Sequence, residues 1–222
     1  MNKLFLGAAL GALLNTTAVY SAETSLTYAG IYKSLKTAQQ SGFSQLSLNF
    51  YLRKTENNTI CPTTRVYLGD GTNEYTLSVT KSGQLLLPLD KKLKQDHAAI
   101  TLVTPQVTKC HLAMEIAVAE FELDNTSKKN IMSWVDQLNG MYAKLAGWPG
   151  KYFMPELVGL KFMLAASDSN KNFWLDDNSK QQLTLDSDGN YTLTIEQLET
   201  FEYSGHFEFG ANLIKVTPIL EK

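Results

Sequence analysis

Leu46, Leu48, Phe50 and Leu52 alternate with Ser47, Asn49, Tyr51 and Arg53, so one face of this stretch is apolar and the other polar. A period of two predicts a half-buried strand with a wet side, the habit of an antiparallel sheet. Ahead of it the period changes. Tyr28, Ile31, Tyr32, Leu35 and Ala38 fall on one helical face between residues 24 and 41. Thr24 or Ser25 would cap that helix, and Gly42 would end it in the left-handed conformation. Behind the strand, Asn57-Asn58, Gly69-Asp70-Gly71 and Lys81-Ser82-Gly83 are turn sequences, the last a tight hairpin. They separate strands expected over 60–68, 75–79 and 85–89, followed by 99–104 and 110–120. The last of these places Cys110, Leu112, Met114, Ile116 and Val118 on one face.

Asn125-Thr126-Ser127 opens a second helix with the cleanest pattern in the chain. Ile131, Trp134, Val135, Leu138, Met141, Tyr142 and Leu145 step by three and four residues until Gly147. Its polar face carries Lys128, Lys129, Asp136, Gln137 and Lys144 with no cationic excess, which favours a core-facing stripe over a membrane surface. Strands are expected over 157–165, 173–176, 182–186, 191–195 and 213–217. The succession helix, strands, helix, strands gives an α+β class with antiparallel sheets.

The two halves echo each other. Residues 46–52 are repeated at 158–164, 77–90 at 183–196 and 98–105 at 211–218, with offsets of 112, 106 and 113. The expectation is an internal duplication of two helix-plus-antiparallel-meander units, residues 22–122 and 123–222, preceded by a signal peptide at 1–21.

That signal peptide rests on Lys3, the apolar run from Leu4 to Leu14, and small residues after it that permit cleavage after Ala18 or Ser21. The run is shorter than the ~20 apolar residues that span a bilayer, and no later segment reaches that length. A periplasmic or secreted location follows, with no transmembrane segment in the mature chain. The formal charge is −2 and the lysines are scattered, which argues against a nucleic-acid partner. The one basic run, Lys91-Lys92-Leu93-Lys94, reads as a solvated turn.

Two cysteines, Cys61 and Cys110, are an even count in an exported chain and are expected to pair. Closing the 48 residues between them would stabilise the fold by roughly 4 kcal/mol on chain-entropy grounds. A catalytic thiol at Cys110 beside His111 is disfavoured, because neighbours on a strand point to opposite faces.

The stretch from Tyr28 to Lys36 (Tyr-x-x-x-Tyr-Lys-Ser-Leu-Lys), the Leu-x-Phe-Tyr-Leu strand, Cys61, Leu-Leu-Leu-Pro-Leu-Asp from Leu85 to Asp90, and the Cys110 strand occur in this order. Together they resemble a family of small exported gamma-proteobacterial proteins that carries only an unknown-function label. The resemblance covers residues 24–120. It implies an exported, disulfide-bonded protein and carries over no activity.

Chemistry is sparse. There is no Gly-x-Ser-x-Gly and no phosphate-cradling Gly-rich loop. His97, His111 and His206 lack a second ligand at metal spacing, so no metal site, cofactor or catalytic residue is assigned. Asp176-Asp177-Asn178 and Asp186-Ser187-Asp188-Gly189-Asn190 are rich in oxygen, but their glycine and glutamate spacing misses a calcium loop and the second reads as a hairpin turn. Nothing in the spacing of the glutamates selects a pair for glycoside hydrolysis.

Two aromatic segments remain as candidate partner-binding surfaces. Trp148, Tyr152 and Phe153 lie between prolines after a helix-ending glycine. Tyr203, His206 and Phe207 lie where the second half is longer by seven residues. Large aromatics in irregular segments are frequent interaction surfaces. The leading expectation is therefore a non-enzymatic envelope protein that binds or assembles with another protein. The alternative is a small-ligand or glycan-binding module, with a carboxylate hydrolase third.

Overall fold

The computed structural model describes residues 21–105, 108–119, 126–164, 184–200, 206–207 and 213–221. Antiparallel strands and helices confirm the α+β class. A four-stranded sheet has the order β1 (Ser21–Thr27), β5 (Ala99–Pro105), β3 (Arg65–Gly69), β4 (Glu74–Thr76). A six-stranded sheet has the order β2 (Leu46–Lys54), β6 (Cys110–Val118), β12 (Leu213–Leu220), β8 (Leu157–Leu164), β10 (Tyr191–Thr194), β9 (Thr184–Leu185). A short ribbon pairs β7 (Thr126–Ser127) with β11 (His206–Phe207). Helices α1 (Tyr28–Ala38) and α3 (Lys128–Gly150) precede β2 and β8, and two short helices, α2 (Lys91–Gln95) and α4 (Ile195–Thr200), follow the hairpins.

Strands from both halves share the six-stranded sheet, joined where Val118 on β6 stands opposite Val216 on β12. On each side of this seam the pairing runs in the same register. Gln84 stands opposite Tyr51; shifted by 106 and 112, the pair becomes Asn190 opposite Met163, the register continued by Tyr191 opposite Phe162. Val79 opposite Leu85 becomes Leu185 opposite Tyr191, which is an observed pair. The first two echoes therefore reappear as equivalent strand pairings.

The third echo does not. Residues 99–105 form β5 in the four-stranded sheet, whereas 213–220 form β12 beside β8, the place that β6 takes beside β2. Alternation records that a strand has one apolar face and carries no address for its partner.

Apolar residues gather into two cores. Phe43, Leu46, Ile116 and Val118 join Ile131, Trp134, Leu138, Phe162, Tyr191 and Val216 under α3. Tyr28, Ile31, Phe50, Leu52, Val66, Leu68, Ile100 and Leu102 form the other beneath α1. Leu48 packs against both. Cys61 and Cys110 are disulfide-bonded, with Cα atoms 6.0 Å apart. The bond bridges across β2, since Ile60 stands opposite Arg53 on one side of that strand and Cys110 opposite Lys54 on the other.

Several local expectations are corrected. The first helix starts at Tyr28, not at residue 24, because residues 21–27 pair with β5 along their whole length. Short polar and β-branched residues there lose little by leaving the helix and gain ladder hydrogen bonds. Thr27 occupies the cap position without a side-chain cap bond. Gly42 does not stop the helix; α1 ends at Ala38, and Gly42 sits in the 3-10 turn Ser41–Phe43 without a positive φ. Residues 60–68 shrink to a bridge at Ile60 and β3, interrupted by Pro62, which has no N–H to give a ladder. Residues 75–79 similarly reduce to β4 and a bridge at Val79, and 85–89 pair only by bridges. The basic run 91–94 is not a turn but lies in α2, whose first N–H groups are accepted by the Asp90 carboxylate. Met114, expected on the apolar face of β6, is 46% exposed.

Candidate functional site

Helix α3 is built as its pattern dictates. The Ser127 hydroxyl accepts the Asn130 N–H at 3.3 Å, and Ile131, Trp134, Val135, Leu138 and Met141 are buried in the core. At Gly147 the φ angle turns to +66° and Trp148 is extended, so the helical run breaks there. A positive φ at this point requires glycine and redirects the chain out of the core face. A cis peptide joins Trp148 to Pro149. The backbone then closes a turn: Lys151 N–H donates to Gly147 O at 2.8 Å, Tyr152 N–H to Pro149 O at 3.1 Å, and Phe153 N–H to Gly150 O at 3.0 Å.

This hydrogen-bonded turn carries Trp148 at 82% exposure, Tyr152 at 68% and Phe153 at 83%. The Lys151 ammonium lies 4.9 Å from the centre of the Tyr152 ring. Three large rings are thus held at the surface by a fixed backbone.

The second aromatic segment goes elsewhere. Tyr203 lies outside the described residues. His206 and Phe207 form β11, whose partners are Ser127 and Thr126 at the start of α3. The helical run from Ser127 to Gly147 rises about 30 Å at 1.5 Å per residue, so β11 and the aromatic turn stand at opposite ends of it. The fold thus keeps the β11 backbone apart from the aromatic turn.

The Asp186 loop is a hairpin turn. Asp186 accepts N–H bonds from Asp188 at 3.0 Å and Asn190 at 2.9 Å, pairs with Lys161 at 2.8 Å, and is followed by Gly189 at φ +77°. The Lys161 ammonium, then the Asn190 N–H, hold its pKa down from 3.8 to about 2. Asp176, Asp177 and Asn178 lie outside the described residues. Among the described residues no group of His, Cys, Asp and Glu has the geometry to hold a metal, and no helix is long and apolar enough to cross a membrane.

A cleft that the sequence did not disclose opens between the β3–β4 turn and α2. It measures about 370 Å³ and is lined by Leu68, Leu77, Tyr75, Asp70, Asp90 and Lys92 among others. Asp70 accepts the N–H groups of Asn73 at 2.7 Å and Thr72 at 2.9 Å, which keep its carboxyl below the usual range. Beneath the cleft, the buried Tyr28 hydroxyl donates to Pro88 O and accepts the Asp90 N–H at 3.0 Å. The signals present in the sequence were Asp70 in its Gly-flanked turn and Asp90 ahead of Lys91-Lys92. Their convergence depends on Tyr28, some 60 residues earlier than both Pro88 and Asp90.

The chain is a member of the family described as protein of unknown function (DUF2987), which matches residues 20–164. The match extends past the first half and through β8. No curated protein and no solved structure matches the chain.

Proposed function

We propose that this is a non-enzymatic protein of the cell envelope that binds another protein through the turn at Trp148, Tyr152 and Phe153. The observation that carries the reading is the exposure of three large rings on a backbone held by three turn hydrogen bonds. Leaving such rings in water costs free energy that burial against a partner recovers, at about 25 cal/mol per Å² of apolar surface. A prefixed turn also loses little conformational entropy on binding. Export is part of the same proposal: the Lys3-led apolar segment supports it, and the Cys61–Cys110 bond suits an oxidising compartment.

The test is crosslinking and co-purification from the native envelope fraction, with wild type beside a Trp148→Ala/Tyr152→Ala/Phe153→Ala variant. One protein should be captured by wild type and lost by a variant that melts at the same temperature. Equal capture by both removes the turn from the reading. An empty capture from wild type, together with glycan binding on an array that the variant lacks, would replace the protein partner by a sugar stacked on the same rings.

A further inference from the structure

The cleft between the β3–β4 turn and α2 plays no part in the reading above. Its floor is aliphatic: Leu68 is fully buried, Leu93 is buried, and Leu77 and Pro88 complete it. Tyr75 stands in its wall with 52% of its surface exposed, so the ring is not consumed by packing within the chain. The charged lining consists of Asp70, Asp90, Asp96 and Lys92, a formal charge of −2 from three carboxylates and one ammonium. Lys92 is bound to Asp96, which leaves its charge compensated. One oxygen of Asp90 accepts the Lys92 and Leu93 N–H groups of α2; its other oxygen takes none of these bonds.

These features select among ligands. An anion meets the net negative lining at close range. A neutral apolar molecule would strip water from ionised carboxylates and give nothing in return. A bare metal ion finds no converging ligand set among the described residues. We propose that this cleft binds a small organic cation, an ammonium group on an apolar body. The body rests on Leu68, Leu77 and Leu93 against the Tyr75 ring, and the charge faces Asp70 and Asp90. Attraction of a cation to the face of an aromatic ring adds to the carboxylate field.

Isothermal titration of the full disulfide-bonded protein with phenethylamine tests the assignment, with 2-phenylethanol and phenylacetate as its neutral and anionic counterparts. The amine should bind saturably, about tenfold tighter than the alcohol, with phenylacetate weaker than either and added salt weakening the amine. Asp70→Asn keeps an oxygen for the Thr72 and Asn73 N–H groups while removing the charge. Tyr75→Leu keeps apolar bulk while removing the ring. Each variant, at unchanged melting temperature, should weaken the amine about three- to tenfold. A blocked peptide carrying phenylalanine beside lysine presents the same chemistry from a protein; tighter binding than phenethylamine would assign the cation to a partner chain, and weaker binding to a free amine. Equal affinity for amine and alcohol, indifference to both substitutions, or no saturable amine binding would overturn the proposal. So would saturable calcium binding at this cleft in place of the amine.

Discussion

Lys215 on β12 places its ammonium against both carboxylate oxygens of Glu115 on β6, at 2.8 and 3.0 Å. The two residues lie 100 positions apart, one in each half, and their pair crosses the seam where the halves join. The Tyr51 ring lies 5.5 Å from the same ammonium. With side-chain exposures of 24% and 31%, the pair stays partly wet, so screening limits its worth. A double-mutant cycle of Lys215→Met and Glu115→Gln should give a coupling of about 0.5–1 kcal/mol that falls with salt. A coupling indistinguishable from zero at low salt would leave the seam to backbone pairing and core packing alone.

Tyr28 to Phe is a nearly isosteric change at a fully buried site. It leaves the Asp90 N–H and the Pro88 carbonyl without the oxygen that bridges them. Destabilisation of about 1–3 kcal/mol is expected in denaturant unfolding, with the slope unchanged. Loss of that bridge also frees the start of α2, so hydrogen exchange should quicken first over residues 88–96. Unchanged exchange there would mean that the Asp90 cap holds α2 unaided.

The disulfide joins residues separated by 49 positions. Replacing both cysteines by serine should cost about 4 kcal/mol through greater freedom of the unfolded chain. Reduction of the wild type should reproduce most of that loss. Mass spectrometry without reductant should recover Cys61 and Cys110 in one crosslinked peptide.

Acid should loosen the second half at its hairpin. The folded-state pKa of Asp186 is depressed to about 2 from an ordinary 3.8. A depressed carboxylate adds stability that is complete above the unfolded value and is lost as pH falls through the folded one. The window is therefore from about pH 4 down to about pH 2. Melting temperature followed across it should fall more steeply in wild type than in Asp186→Asn, which has no carboxylate to protonate. Parallel curves would show that the Lys161 pair and the turn bonds leave the folding equilibrium untouched.

Local periodicity determined a good deal about this protein. The 3.6-residue spacing from Ile131 to Leu145 set out the buried stripe of α3, and Gly147 marked its end, because a glycine at positive φ stops a helix whatever surrounds it. Gly83 and Gly189 marked hairpin turns for the same backbone reason. Alternation marked β2 and β8, and two spaced echoes anticipated equivalent pairings on either side of the seam. Of the candidate surface, the aromatic turn was visible in the sequence as large rings between prolines.

Partnership was decided by tertiary structure. Residues 24–27 left the helix for β5, since an open strand edge offered them a full ladder of hydrogen bonds. Residues 99–105 and 213–220 share an alternating pattern yet sit beside different neighbours, because alternation specifies a face and not a partner. His206 and Phe207 were drawn to the start of α3, away from Trp148, by pairing with Ser127 and Thr126. One side of the cleft around Tyr75 is tied down by Tyr28, which bonds the Pro88 carbonyl and the Asp90 N–H from another part of the chain. Such contacts depend on the closure of long loops, whose free energy no local window of sequence contains.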